Sequence, residues 1–201
     1  MSPNLVRKGG FANRFADADK FTANKMKEYE FTLKFRLPNA TEIPDIYVGK
    51  LGAGGCDDAL IGIGKNGSIA LNFIRVADSA FDAVTSAIIQ VKRAIPNVRL
   101  VEVTPDFVEL SDVTELLGVT RQNMQKIMMN SGTRFPEPVH EGKSSIWHLA
   151  NILIWLKNQK SYPVVEDMIE LAKTNMQLNI AKDMQYVEPS FRKNLQSDIV
   201  G

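Results

Sequence analysis

One short stretch of the chain carries five polar side chains that could bind nucleic acid. Arg, Gln and Asn have the paired donors and acceptors that match guanine and adenine edges in the DNA major groove, and Lys suits phosphates. No acidic residue occurs between Thr120 and Arg134. The stretch is a candidate DNA-reading helix over residues 120–131, although an ordinary helical hairpin with a solvated polar face would look similar. The five residues are Arg121, Gln122, Asn123, Gln125 and Lys126.

The residues around this stretch predict a helix-turn-helix. Ser111 can cap a first helix, Gly118 supplies the left-handed residue of the turn, and Thr120 can cap the second helix. In each helix we expect apolar side chains at helical spacing to face the core. They are Val113, Leu116 and Leu117 in the first helix, and Met124, Ile127 and Met128 in the second.

A small two-stranded wing is predicted after the second helix. Its strands would lie at residues 135–140 and 144–147, on either side of a turn at Gly142. Lys143 in this turn is a candidate phosphate contact. His148 would open the next helix, ending near Gln159, as a cap or phosphate contact.

Residues 111–159 resemble the MerR-like and AlpA-like winged helix-turn-helix domains of bacterial regulators. The resemblance lies in Phe135-Pro-Glu-Pro-Val, the Gly-containing turn, Trp147 and the helix that carries Trp155. It implies base-edge contacts from Arg121, Gln122 and Asn123. It also implies backbone contacts from Thr120, Gln125, Lys126, Arg134 and Lys143. Trp147 and Trp155 are expected to be core aromatics.

The elements ahead of this domain predict a ferredoxin-like fold over residues 28–104. Strict alternation of apolar and polar residues from Tyr29 to Leu37 predicts a half-buried strand. Asn66-Gly67 between two β-prone runs predicts a hairpin, and the apolar spacing from Asp78 to Ile95 predicts a helix. With a short helix near residues 43–51 and a last strand at 98–103, the order is β-α-β-β-α-β, in an α+β chain.

From about Tyr29 the chain also resembles a group of bacterial helix-turn-helix proteins that carry a ferredoxin-like domain ahead of the reader. This second resemblance lies in Gly55-Cys-Asp-Asp-Ala-Leu60 and in residues 95–108. Four parts are therefore expected: a mobile basic extension (1–27), the ferredoxin-like domain (28–104), the winged helix-turn-helix (105–160) and a C-terminal helix with its tail (161–201).

The C-terminal helix is predicted to make the protein a homodimer. Its apolar residues form one stripe over several turns, and such a stripe needs a partner surface. Pairing two copies would bring two recognition helices to two half-sites of double-stranded DNA. The stripe consists of Val165, Met168, Ile169, Ala172, Met176 and Ile180, continued by Met184 and Val187.

The composition argues against several other classes of protein. A formal net charge of +1 gives no bulk attraction to nucleic acid, so any DNA contact must come from local charge. The single Cys56 and two His residues argue against a disulfide or a Cys-rich zinc site. No run of about 18 apolar residues occurs, so we expect a cytoplasmic protein without a membrane span.

We expect neither an enzyme nor a cofactor. Gly62-Ile-Gly64-Lys-Asn-Gly67 matches a dinucleotide fingerprint, but a strand follows it where that motif needs a helix. Asp57 and Asp58 beside Cys56 could suggest a metal or a thiol nucleophile. However, no His, Lys or third carboxylate is near in sequence to complete such a site. A loop at the start of a strand explains the two aspartates as well.

Two other functions stay open at this point. The chain could be an antitoxin-like protein that autoregulates its operon, with Phe11, Phe15 and Phe21 of the N-terminal region folding on a protein partner. Alternatively, the ferredoxin-like domain could sense a small molecule in a pocket at the loop of residues 52–58.

Overall fold

The computed structural model describes residues 26–63, 65–159 and 162–192. They form a mixed α+β structure with antiparallel sheets, which confirms the expected class. The chain divides into two compact units. We call Lys27–Pro105 together with residues 170–192 the sheet unit, and Asp106–Ile169 the helical unit. Phe11, Phe15, Phe21 and the rest of the expected extension up to residue 25 lie outside the described residues.

The sheet unit contains a four-stranded sheet in the order β2-β3-β1-β4, with every neighbouring pair antiparallel. Its helices are α1, which follows a short 3-10 turn at Pro44–Tyr47, and α2, which lies between β3 and β4. The bounds are β1 Lys27–Arg36, α1 Val48–Ala53, β2 Ala59–Ile63, β3 Ser68–Ala77, α2 Ala80–Ala94 and β4 Arg99–Thr104.

The core of this unit follows from the alternation in β1. Tyr29, Phe31, Leu33 and Phe35 are buried on one face, while the residues between them face outward or are half-buried. Phe31 lies opposite Phe73 of β3, and the two rings stack with centroids 5.3 Å apart. Each strand therefore contributes one apolar face to a core that α2 closes with its buried Ala and Val side chains.

The predicted hairpin between β2 and β3 is confirmed. Gly67 has φ +73°, and a Cβ there would lie 2.6 Å from the Ala40 backbone. Its N–H donates to Glu42 O and its carbonyl accepts from the Leu37 N–H, both at 2.9 Å. Because β3 follows this turn, the glycine-rich string is part of a hairpin and not a phosphate loop.

The last long helix, α6 (Glu166–Asp183), is followed by a 3-10 turn at Met184–Tyr186. Leu171 belongs to the buried core of the sheet unit, and Leu178 packs against that core. Most of α6 therefore belongs to the sheet unit and not to a separate C-terminal segment.

In the described residues, the helical unit contains α3, α4, α5, the start of α6 and a three-stranded antiparallel sheet in the order β5-β7-β6. β5 pairs through Phe107 and Val108 with His148 and Trp147 of β7. β5 was not expected from the sequence, and the wing strands are shorter than expected. The bounds are β5 Phe107–Val108, α3 Leu110–Leu117, α4 Arg121–Ser131, β6 His140–Glu141, β7 Ser145–His148 and α5 Leu149–Asn158.

Two expected element starts were wrong. Glu109, and not Ser111, is the N-cap residue of α3, and its N–H donates to the Asp112 carboxylate at 2.8 Å. β1 begins at Lys27, inside the expected extension, and the ammonium of Lys27 donates to Glu170 at 2.9 Å. None of the described helices is long and apolar enough to cross a lipid bilayer.

Candidate nucleic-acid interface

The turn before α4 fixes the start of the candidate recognition helix. Gly118 has φ +65° and ends α3 in the left-handed conformation, as expected. The Thr120 hydroxyl accepts from the Asn123 N–H at 3.2 Å, which confirms the predicted cap. Inside the helix Met124 is fully buried, while Ile127 and Met128 are half-buried. Four of the five polar residues, all except Asn123, are exposed on the outer side of the helix, and no hydrogen bond of their side chains is seen among the described residues.

Gln122, Lys126 and Met129 form the outermost line of α4. All three are exposed, and their spacing of four and three residues puts them on the side of the helix opposite Met124. Met129 is 78% exposed, which is unusual for an apolar side chain of this size. Met129 was not expected at the site, although its spacing from Gln122 and Lys126 is a sequence signal that identifies it.

Asn123 differs from the other polar residues of α4. Its side chain is exposed, and its amide donates to the hydroxyl of Tyr162. The amide thus has a partner within the helical unit, whereas Arg121, Gln122, Gln125 and Lys126 extend into solvent. The base-reading role expected for Asn123 would require that contact to break.

The wing is a short hairpin of β6 and β7, in which His140 lies opposite Ile146 and Glu141 opposite Ser145. Lys143 is exposed in the turn that joins the two strands. Arg134 is exposed in the 3-10 turn Gly132–Arg134 that follows α4. The structure therefore places both cations at the surface of the helical unit.

An aromatic cluster packs against the wing strand β7. The Phe135 ring meets Trp147 edge-on at 6.1 Å and Trp155 at 5.1 Å between centroids. The Trp147 indole N–H donates to Pro136 O at 3.0 Å. Trp147 and Phe135 are buried and Trp155 is half-buried, so these aromatics pack in the unit instead of offering a flat surface to bases.

His148 was expected to be a helix cap or a phosphate contact, and it occupies the N-cap position of α5. Its Nδ1 lies 2.7 Å from Asp106 Oδ1, with side-chain exposures of 12% for His148 and 0% for Asp106. The ring packs against Phe107 at 4.9 Å between centroids, and the side chain makes no capping bond to α5. His148 thus connects β7 to the start of the unit through its contacts with Asp106 and Phe107.

The expected dimerisation stripe is only partly exposed in the single chain. Ile169 and Ala172 are buried, so they are not available at the surface of this structure. Val165, Met168 and Met176 are half-buried, and Ile180, at 48% exposure, is the most accessible of the six. The periodicity was real, but much of the stripe is covered by this chain itself.

The loop around Cys56 is a structural site. Arg75, which is 8% exposed, bonds the Asp58 carboxylate through Nε at 2.7 Å and Nη2 at 2.8 Å. Nη2 also reaches Gly55 O at 3.3 Å. Burial raises the pKa of the Cys56 thiol, against the lowering effect of Arg75, so the thiol is a poor nucleophile at neutral pH. The guanidinium thus spans the loop that had been considered as a small-molecule pocket.

A shallow groove of about 410 Å³ lies elsewhere, on the face of the sheet that carries the outward residues of β1. Lys34, Arg36 and Lys65 line it, but Lys34 is paired with Glu102 at 2.7 Å and Arg36 donates to Ser68 at 2.8 Å. Its cations are thus largely engaged with neighbouring side chains.

Comparison with known proteins does not identify a relative: no protein-family model, curated protein or solved structure matches the chain significantly.

Proposed function

We propose that the protein is a sequence-specific binder of double-stranded DNA that acts as a transcription regulator. The helical unit would be a winged helix-turn-helix with α4 in the major groove and Lys143 of the wing at the backbone. The sheet unit would be ferredoxin-like, and its support is the strand order β2-β3-β1-β4 with the element order β-α-β-β-α-β.

The observation that carries the proposal is the outer side of α4. It holds Gln122, Gln125 and Lys126 in the open, next to Arg121, on a helix whose N-terminus is fixed by the Thr120 cap. Side chains near the start of a recognition helix read base edges, and Gln is suited to bidentate contact with adenine. No carboxylate lies on α4 to repel the phosphates.

Arg134 and Lys143 add the backbone contacts that orient such a helix. Both are exposed and both follow α4 in the chain, one directly after the helix and one in the hairpin turn. Contacts of this kind set register and affinity without reading sequence. The proposed reader therefore combines base contacts from α4 with phosphate contacts from Lys126 and from these two cations outside the helix.

The proposal is tested by selecting bound fragments from random DNA with the full chain, then measuring affinity for the best fragment. Gln122→Ala with Lys126→Ala should weaken binding by at least about tenfold, because each lost base or phosphate contact is worth about 1–3 kcal/mol. Lys173→Ala with Gln177→Ala is the matched control. It removes the same two residue types at the same spacing from exposed positions of α6.

Two results would overturn the proposal. One is that selection enriches no sequence. The other is that the α4 double variant binds as tightly as the α6 double variant.

A further inference from the structure

The two edges of the four-stranded sheet differ in whether other parts of the chain bond their outward backbone groups. At the β4 edge, Asn179 of α6 accepts from Val103 N–H at 2.9 Å and donates to Val103 O at 2.8 Å. Asn175 donates to Pro105 O at 3.1 Å. The pairing of β4 with β1 also shifts register beside Lys34, and a bulge of this kind disfavours further strand addition.

The β2 edge has none of these features among the described residues. β2 contains no charged residue or proline, and it pairs with β3 in unbroken register over its whole length. Leu60 is 75% exposed at this edge, and Ile74 on the neighbouring strand is 38% exposed. An uncharged, regular and apolar edge strand is a template for another strand.

The hydrogen bonds show which backbone groups of β2 point outward. The Ile74 N–H donates to Asp58 O at 3.4 Å, so residue 58 and the alternate residues after it direct their backbone groups toward β3. The backbone groups of Ala59, Ile61 and Ile63 therefore point away from the sheet. The Ala59 N–H is already used, since it donates to Cys56 O at 3.2 Å.

These groups are self-complementary about Ile61. If a second copy approaches antiparallel with the twofold axis at Ile61, each Ile61 exchanges both of its backbone bonds with its equivalent. Each Ile63 N–H then faces the Ala59 carbonyl of the other copy, which is the acceptor left over at that position. The register would also place the Ala59 N–H opposite the Ile63 carbonyl of the other copy, but this N–H already donates to Cys56 O, so that bond is not made at either end of the contact.

The side chains fit the same register. Leu60 would lie opposite Gly62 of the second copy in a non-hydrogen-bonded pair, where side chains approach most closely. A Cβ at Gly62 would meet Ala70 O at an ordinary 3.6 Å, so this chain's own fold does not require glycine there. The missing side chain leaves room for the exposed Leu60.

The flanking charges are complementary as well. Asp57 lies just before β2 and Lys65 just after it, and both are exposed, so an antiparallel pair of copies brings the Asp57 end of one β2 to the Lys65 end of the other. Opposite charges across a strand pair are favourable and like charges are not.

We propose that β2 is the docking site for a second copy of this chain. The copies join antiparallel about Ile61, so that the four strands of each form one continuous sheet. The contact replaces the α6 stripe as the basis of a homodimer and does not depend on the proposed DNA binding.

Sedimentation velocity over a micromolar to millimolar concentration series, without DNA, tests the contact. The full chain should dimerise, and Leu60→Asp should weaken the dimer at least about tenfold, since it places a charge in an apolar strand contact. Val101→Asp is the matched control, because Val101 is 42% exposed on the opposite edge strand. Circular dichroism would verify that both variants fold.

A charge exchange tests the register independently of folding defects. Asp57→Lys or Lys65→Asp alone should weaken the dimer up to about fivefold at low salt, and the two together should restore it. A monomeric full chain overturns the proposal, as does a dimer equally stable in Leu60→Asp and Val101→Asp. Failure of the double exchange to restore the dimer overturns the register centred on Ile61.

Discussion

At the scale of single residues, Glu170 joins three parts of the sheet unit. Its Oε2 accepts from Lys27 Nζ at 2.9 Å and from the Tyr29 hydroxyl at 3.0 Å, both on β1. Its Oε1 accepts from the Ala80 N–H at 2.9 Å, at the start of α2, where a carboxylate also satisfies a free helix N–H. One carboxylate therefore connects α6, the first strand and the second helix.

The environment of Glu170 predicts a loss of stability in acid. Burial alone raises the pKa of its carboxyl, but the bonds from Lys27, Ala80 and Tyr29 outweigh it and lower the pKa below the ordinary 4.5. A carboxyl with a lowered folded-state pKa stabilises the fold above its unfolded pKa, and this contribution is lost as the pH falls through the folded value.

Urea unfolding of the full chain at a series of pH values from neutral to below 4 measures this effect. Glu170→Gln should be less stable than the wild type at neutral pH, and the difference should shrink as the pH falls through the acid range. Glu28→Gln, an exposed change on β1, is the control and should track the wild type. A wild-type to Glu170→Gln difference that stays constant across the series would contradict this role.

At the scale of elements, much of the sheet unit could be predicted from the sequence. The alternation in β1 and the Asn66-Gly67 turn are local signals, and each places its strand within a few residues. Apolar periodicity could not show the contacts of α6. Asn175 and Asn179, both buried, bond backbone groups of the β4 edge, and a polar residue gives no sign of burial in a hydropathy pattern.

The candidate site was also predictable where its signals are local and not where its contacts are long-range. The Thr120 cap and the outward residues of α4 follow from helical spacing, which also applies to the unassigned Met129. The partner of His148 could not be foreseen, because Asp106 is 42 residues away in the chain and meets it only through the pairing of β5 with β7.

Two glycines give opposite predictions for the same substitution. Gly67→Ala forces a left-handed backbone on alanine and brings its Cβ to 2.6 Å from Ala40, so it should destabilise the protein by more than about 2 kcal/mol. Gly49→Ala lies in α1 with nothing within 4 Å, and it should stabilise by about 0.5–1 kcal/mol. Thermal or urea unfolding measures both. Equal effects would mean that the hairpin turn is not the constrained element described here.

At the scale of the whole molecule, positive and negative charges nearly balance, so any positive surface must come from the local placement of a few cations. The formal net charge is only +1, and exposed acids such as Asp112 and Glu115 of α3 belong to the same unit as α4. A protein of this kind gains little from general attraction to DNA. Its affinity would depend on a small number of placed cations.

This arrangement predicts a moderate salt dependence of DNA binding. With Lys126, Arg134 and Lys143 at phosphates in each copy of a dimer, the slope of log K against log salt should be about −5, at 0.9 per phosphate. Lys143→Ala should make the slope shallower by about 2, one phosphate per copy, with little change in sequence preference. Fluorescence anisotropy at several salt concentrations measures it. An unchanged slope in Lys143→Ala would remove the wing from the interface.

The pair of bonds between Asn179 and Val103 has a consequence for how far assembly can proceed. A chain with one open strand edge can join only one other chain there, so growth stops at a closed pair. If the β4 edge were open as well, each added chain would offer a fresh edge to the next, giving an open-ended ribbon. Asn179 on α6, together with the register shift in β4, thus favours a finite complex over a polymer.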